Sequence, residues 1–413
     1  MTVLPRITAA QRRARLVLRH LLAPCARKDT AEGVAESLVG LHATDPATVY
    51  LAAAARMHAP TAAAIDHSLY HAPDGVPGLE RIRCMRRTMF VVPAPLAPAI
   101  RSATTARDAH RHRAHATAQL REGLGWDERR CAAMEQAVLE ALTVRGGATA
   151  SELALDIPDL REQFITFPGK PYESRQRASG PVLALLAAEG HIRRTRPAGS
   201  WTSAQFRWVR ARPLPAIPAA EAKSTLARHY VAAFGPVTVE DLKWWTGWNV
   251  TDTRKALAAT GAQAVELDEG TGYLLPEDLE HLQALEAAEG PEPAAALLPG
   301  LDPTPMGWRH RHWYLDPEHT KALFDRNGNI GPTIWWNGRI VGSWAQHADG
   351  HLNHHLLADL GNEARTAIDA ELHRTLTFLD GTRVTPCYRT PLERRLACAG
   401  RPLTATRDCR PGR

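Results

Sequence analysis

The segment Leu38-Val39-Gly40-Leu41-His42-Ala43-Thr44-Asp45-Pro46 brings an imidazole, a hydroxyl and a carboxylate together within a few positions. His42 is the one group in His42-Ala43-Thr44 able to accept a proton near neutral pH. Thr44 and Asp45 stand directly before Pro46, a residue favoured at the first helical position. Either side chain can therefore serve simply as the cap of the helix that follows. His42 has an equally plain reading, as a hydrogen-bonded structural histidine at the end of an amphipathic helix.

The other candidate residues are basic. The spacing Arg81-Ile82-Arg83-Cys84-Met85-Arg86-Arg87 predicts a strand from Glu80 to Val92 with Arg81, Arg83 and Arg87 on one face, where they can track phosphates or merely line a solvated edge. Arg86 and Arg87 carry charges that a core would not hold. Arg175 and Arg177 open a predicted helix. Arg193, Arg194, Arg196 and Arg207 line a predicted hairpin with Trp201 at its tip. Arg309-His310-Arg311-His312-Trp313 joins charge to aromatic rings, a combination suited to phosphate contact and base stacking. Of 50 basic residues 44 are arginine, and the net charge is +6. The planar arginine fork matches phosphate oxygens and base edges, although GC-rich coding produces the same bias.

Composition also excludes some chemistry. His351, His354 and His355 lack a carboxylate or cysteine at a metal-binding spacing, so neither a metal nor another cofactor is expected. Cys25, Cys84, Cys131, Cys387, Cys398 and Cys409 form no C-x-x-C pair, which argues against a zinc knuckle or a disulfide frame. The N-terminus lacks an apolar signal region, and no apolar run reaches the ~18 residues of a membrane span. A cytoplasmic protein is expected.

The elements that must hold these residues read as mainly α with β. In the middle of the chain, Asp127–Val144 predicts an amphipathic helix, Ser151–Leu155 a second and Ser174–Glu189 a third, capped by Gly190. Strands His191–Thr195 and Gln205–Arg210 follow, joined by the turn 196–203. Three helices and a hairpin are the winged helix-turn-helix order. It recurs in helices Ala219–Phe234, Glu240–Trp245 and Asn249–Thr260, then strands Ala262–Leu267 and Thr271–Leu275 about the turn Asp268-Glu269-Gly270. Residues 1–100 show helices near Thr8–Leu22, Thr30–Leu41, Pro46–Met57 and Thr61–Tyr70 before the basic strand, compatible with a third copy. Beyond a connector, Glu286–Ala296, alternating residues around Asn337-Gly338 predict a small β-rich C-terminal domain with a type I′ hairpin. The expected domains are 1–120, 121–215, 216–290 and 291–413.

With Arg56 after it, the His42 segment resembles that of the AlkZ-type DNA glycosylases, a winged-helix family with a Gln-aliphatic-Gln motif ahead of a proline. Arg87-Thr88-Met89-Phe90-Val91-Val92-Pro93, Asp241–Trp248, Leu297–Pro303 with Gly307–Arg311, and Asn337–Trp344 resemble the family's further landmarks, so the resemblance spans nearly the whole chain. His42 and Thr44 occupy the two glutamine positions.

The resemblance implies hydrolysis of the N-glycosidic bond of bulky alkylpurines, or unhooking of crosslinks, in repair or in self-resistance to a DNA-alkylating antibiotic. N7-alkylation makes guanine a cationic leaving group, so the enzyme need only place a water and stabilise positive charge on the sugar. His42, with a pKa suited to neutral pH, would bond that water or act as a weak base; Thr44 would orient it; Asp45 would supply a negative field. The motif holds no lysine, which argues against a Schiff-base lyase step. The expected partner is double-stranded DNA carrying bulky alkyl adducts, gripped by a monomer through Arg81, Arg83, Arg86, Arg87, Arg175, Arg177, Arg194, Arg196, Trp201, Arg309, Arg311 and His312. The alternative is a non-catalytic DNA-binding regulator or lesion-binding protein, although tandem modules without a coiled coil or ligand-sensing domain favour the enzyme.

Overall fold

Helices begin where the sequence supplies a cap. In the computed structural model, which describes residues 4–71, 77–105, 109–170, 173–287 and 291–398, Thr8 and Gln11 form a reciprocal box at α1 (Ala9–Arg19) and Thr30 caps α2 (Ala31–Ser37). The predicted helix Thr30–Leu41 stops at Ser37 because Val39 (φ 64°) and Gly40 (φ 158°) turn the chain into β1 (Leu41–His42). A Cβ on Gly40 would lie 2.8 Å from the Val91 carbonyl oxygen, so only glycine lets β1 close on its neighbour. Helices α3 (Pro46–Ala54) and α4 (Ala62–Tyr70) follow, capped by Asp45 and Thr61.

The single basic strand expected over Glu80–Val92 is two strands, β2 (Leu79–Arg83) and β3 (Met89–Pro93), in a sheet of order β1-β3-β2. The chain reverses between them because Arg86 (φ 50°) and Arg87 (φ 61°) both adopt left-handed backbone, so Arg81, Arg83 and Arg87 do not share one strand face. Such φ values are uncommon outside glycine and store strain. Helices α5 (Ala97–Thr104) and α6 (Ala109–Leu124), absent from the sequence reading, lead onward.

The next elements are α7 (Glu128–Arg145), α8 (Ala150–Asp156), hairpin β4 (Gln163–Thr166) and β5 (Ser174–Arg177), α9 (Ser179–Glu189), and hairpin β6 (Ile192–Pro197) and β7 (Phe206–Arg210). The helix predicted from Ser174 starts at Ser179. Pro181 lies in its first turn, where a missing N–H costs nothing, and Ser174–Arg177 pairs with β4 instead. After α10 (Ala219–Phe234), α11 (Val239–Thr246) and α12 (Val250–Ala258) come β8 (Gln263–Leu267), β9 (Gly270–Leu274) and α13 (Pro276–Ala287), which takes up the start of the predicted connector. The connector's residues 288–290 and Cys409 lie outside the described residues.

The C-terminal stretch is less purely β than expected. β10 (Ala295–Leu298), α14 (Thr320–Leu323), β11 (Thr333–Trp336), β12 (Arg339–Gln346) and β13 (Leu352–Leu356) are followed by α15 (Asn362–Leu379) and α16 (Pro391–Cys398). The sheet runs β10-β11-β12-β13, antiparallel, and Asn337 (φ 47°) and Gly338 (φ 74°) make the tight turn between β11 and β12. The whole is a mixed α/β structure of small antiparallel sheets laid among helices. No helix among the described residues is long and apolar enough to cross a membrane.

Leu120 to Trp208 build an apolar core of their own, whereas another core runs from Leu16 through Ile100, Leu226, Tyr230 and Phe234 to Trp308, Tyr314 and Leu396. Arg56, fully buried at the end of α3, ties that body together. Its guanidinium meets Asp302 in a two-pronged pair (2.7 and 2.9 Å) and also donates to Thr304 Oγ1, His20 O and Ala52 O. With every donor used, the pair holds the ends of α1 and α3 against the loop after β10.

Removing one partner would strand the other charge in the core. Arg56→Met is expected to lower the unfolding free energy by about 3–5 kcal/mol, read from urea denaturation. Arg56→Met with Asp302→Leu should recover most of that, and a single-variant loss below ~1 kcal/mol would mean that the pair does not organise this junction.

Candidate active site

The strand carrying His42 is held from both sides. His42 lies opposite Phe90 in the β1–β3 register, Ala43 N–H donates to Met89 O (2.8 Å), and Arg81 Nη1 donates to Ala43 O (3.1 Å). Arg81 is itself buried, its guanidinium 4.7 Å over the Phe206 ring. It therefore positions the motif backbone instead of standing on a solvated face.

The side chains so presented are poorly satisfied. His42 is 5% exposed, its ring 5.0 Å edge-on to Phe90, and its Nδ1 has no hydrogen-bond partner; nor does the buried Thr44 Oγ1 beside it. Two unpartnered buried polar atoms two residues apart are unusual, because such groups cost free energy unless something binds there. Burial first, and then the nearby Arg86 charge, lowers the His42 pKa to about 3. The imidazole is thus neutral across the physiological range, which corrects the expectation of a group titrating near pH 7.

Asp45 is differently placed. Oδ1 accepts from Ala47 N–H at the start of α3 (3.1 Å) and Oδ2 from Cys387 N–H (2.8 Å). Both oxygens are committed, so this carboxylate caps α3 and pins the C-terminal stretch beside the motif.

Thr44 opens onto a cavity of about 360 Å³ between the β2–β3 turn and the group formed by α9, β6 and β7. Arg83, Arg87, Arg193 and Arg194 line it, and Glu80 is the one acid among the lining residues. A neighbouring cavity of about 450 Å³ shares Arg83 and Arg87 and adds Arg111 and His115. Mutual repulsion among these cations favours an anionic occupant.

Other predicted residues are dispersed or engaged. Arg175 and Arg177 lie exposed on β5, which runs up to α9, and are not part of that helix. Arg194 lies over Phe206 and Trp208 (5.4 and 5.1 Å), and Arg196 pairs with Asp66 (3.3 Å). Trp201, expected at a free hairpin tip, packs on Tyr50 and Phe378 (5.0 and 5.9 Å), because apolar faces of α3 and α15 lie within its reach. Arg309 and His312 are exposed, whereas Trp313 is buried with Nε1 donating to His310 O, which removes it as a stacking platform. His354 and His355 sit on exposed β13, and no metal-sized cluster of His, Cys, Asp and Glu occurs among the described residues.

Two residues were missed. Asp241 completes a capping box with Thr238, a spacing readable in the sequence, while its Oδ1 accepts the backbone N–H groups of Arg309 and His310 (2.8 and 3.0 Å), a task nothing local signals. Trp244, given no role of its own in the sequence, lies under Arg86 (4.0 Å) and Arg311 (4.8 Å).

Comparison with known proteins gives a consistent result. A family model described as "DNA glycosylase AlkZ-like" matches residues 35–378. A curated "Interstrand DNA cross-link repair glycosylase" of Streptomyces sahachiroi is 34% identical over 130 residues, which is 30% of this chain and only 34% of that protein. The solved structure of "Streptomyces sahachiroi DNA glycosylase AlkZ" superposes with a TM-score of 0.65 at 21% identity, covering 90% of this chain and 97% of the other, and shows a shared fold.

The lowered His42 pKa has a stability consequence with a definite sign. Its folded value, about 3, lies below the ~6.5 of an unfolded histidine, so the unfolded chain takes up the proton first and stability falls as pH drops below 6.5. At pH 5 this amounts to about 2 kcal/mol. His42→Gln should lose less stability than wild type between pH 7.5 and 5 by about that amount; equal losses in the two proteins would show that His42 is not buried neutral.

Proposed function

The chain belongs to the AlkZ-like DNA glycosylase family, and from that premise we propose that it hydrolyses the N-glycosidic bond of bulky N7-alkylguanine-type adducts or crosslinks in duplex DNA, in repair or in self-resistance to a DNA-alkylating antibiotic. The observation that carries the reading is the pair of unpartnered buried groups, His42 Nδ1 on β1 and Thr44 Oγ1 just after it, beside an arginine-lined cavity. A water bonded to both would satisfy them and face the substrate.

The charged purine leaves without needing a strong acid, and the sugar passes through a positively charged transition state. A neutral imidazole can accept a hydrogen bond from the attacking water, which is the role its lowered pKa suits; Thr44 fixes the water's direction. Arg81 and Asp45 hold the motif strand and α3 in register and act as positioning residues. The related crosslink-repair glycosylase supports the same substrate class for this chain.

The same reading treats α2–α4 with sheet β1-β3-β2, α7–α9 with β6–β7, and α10–α12 with β8–β9 as three winged helices, within domains 1–120, 121–215 and 216–290, and a fourth domain at 291–413. A monomer would lay these units along one duplex. Contacts to phosphate would come from Arg83, Arg87, Arg175, Arg177, Arg194 and Arg309.

Purified protein incubated with duplex carrying N7-alkylguanine should release the free base. Under single-turnover conditions at saturating enzyme, His42→Ala should slow release by ~10²-fold with near-normal affinity, and His42→Gln should retain part of the rate. An unchanged rate for His42→Ala would remove His42 from the chemistry, and tight binding with no release by wild type would point to the lesion-binding alternative. Wild-type release should show no inflection near pH 6.5, since the imidazole stays neutral there. Affinity should fall steeply with salt as arginines displace counterions, whereas a flat response would remove DNA as the partner.

A further inference from the structure

Arg86 and Arg311 come from turns more than two hundred residues apart, yet both guanidiniums lie against one ring, that of Trp244 on α11, at 4.0 and 4.8 Å. Arg86 makes no hydrogen bond or ion pair among the described residues, and its Nε is buried without a partner. Arg311 spends Nε on Pro305 O (3.2 Å), while its Nη2 is buried and unpartnered. The acid that anchors the Arg309–His310 loop, Asp241, uses its oxygens on Thr238, Arg309 and His310. Burial and the Arg311 charge together lower the Arg86 pKa to about 10. The fold invests in keeping these charges: Asp241 fixes the backbone ahead of Arg311, and Arg86 is held with φ 50°.

Three other buried arginines are neutralised by acids, Arg12 by Glu269, Arg15 by Asp278 and Arg56 by Asp302. Two neighbouring cations left with spare donors therefore mark a seat for an anion, since desolvated like charges repel strongly until one binds. The Arg86 charge also reaches His42. A bare guanidinium there would oppose the positive charge that develops on the sugar, and an anion bound to it removes that opposition.

We propose that Arg86 and Arg311, carried by Trp244, form one seat for a DNA backbone phosphate next to the nucleotide whose glycosidic bond is cut. The seat rests on the glycosylase reading for its substrate and adds to it a phosphate that both locates the sugar at His42 and cancels a charge hostile to the reaction.

The test is a set of adducted duplexes in which a neutral methylphosphonate replaces one phosphate at a time, with affinity measured for wild type, Arg86→Gln and Arg311→Gln. Wild type should lose about tenfold at one position near the adduct. Each variant should bind the unmodified duplex about that much more weakly and lose nothing further at that same position. Thermal melting identifies a variant that does not fold; if Arg86→Gln is lost in this way, Arg311→Gln decides alone. Equal losses in wild type and variant at every position overturn the seat, and so does coupling of the two arginines to different phosphates. Because affinity is read without turnover, absence of base release would end the glycosylase reading while this comparison still stands or falls by itself.

Discussion

The buried pair between Arg56 and Asp302 is the constraint from which the rest of the arrangement follows. An ion pair with both side chains fully buried is tolerable only when its remaining donors are met, and Thr304, His20 O and Ala52 O meet them. Those partners lie on α1, α3 and the loop after β10, so satisfying one guanidinium fixes three parts of the chain at once. His20 completes the junction, bonded to Thr304 and Ala233 O and stacked on Trp308, with its pKa driven well below its ordinary value, chiefly by burial and then by Arg56. The His42 strand lies between α2 and α3, and its place relative to the C-terminal stretch is inherited from this junction.

Around the motif strained backbone and unsatisfied buried groups occur side by side. Val39, Arg86 and Arg87 take left-handed backbone, and His42 Nδ1, Thr44 Oγ1 and Arg86 Nε have no partner. Strain and unmet hydrogen bonds cost stability, and a fold retains them where the cost is returned on binding. At the junction nearby, by contrast, every donor of the Arg56 guanidinium is met.

The group with its own core, Leu120 to Trp208, is fastened at its edges. Arg113 bridges Glu135 and Glu189, Arg101 donates to Glu189 O, and at the far end Arg196 meets Asp66 while Trp201 packs on Tyr50 and Phe378. This docking encloses the arginine-lined cavity with Thr44 at its edge, so the cavity is a product of assembly and belongs to neither wall alone.

Local signals determined a good deal. Caps at Thr8, Thr30, Asp45 and Thr61, the Asn337-Gly338 turn and the helix order from α7 to α12 are legible because each depends on neighbours a few residues away. The position of His42, Thr44 and Asp45 before Pro46 was legible too, including the capping role of Asp45. What the tertiary structure decided depended on distant partners: the break at Arg86 and Arg87, the inward turn of Arg81 and Trp201, the neutrality of His42, and the meeting of Arg86 with Arg311 over Trp244. Periodicity cannot reveal these, because burial, desolvation and charge proximity are properties of the assembled fold, set by side chains hundreds of residues apart.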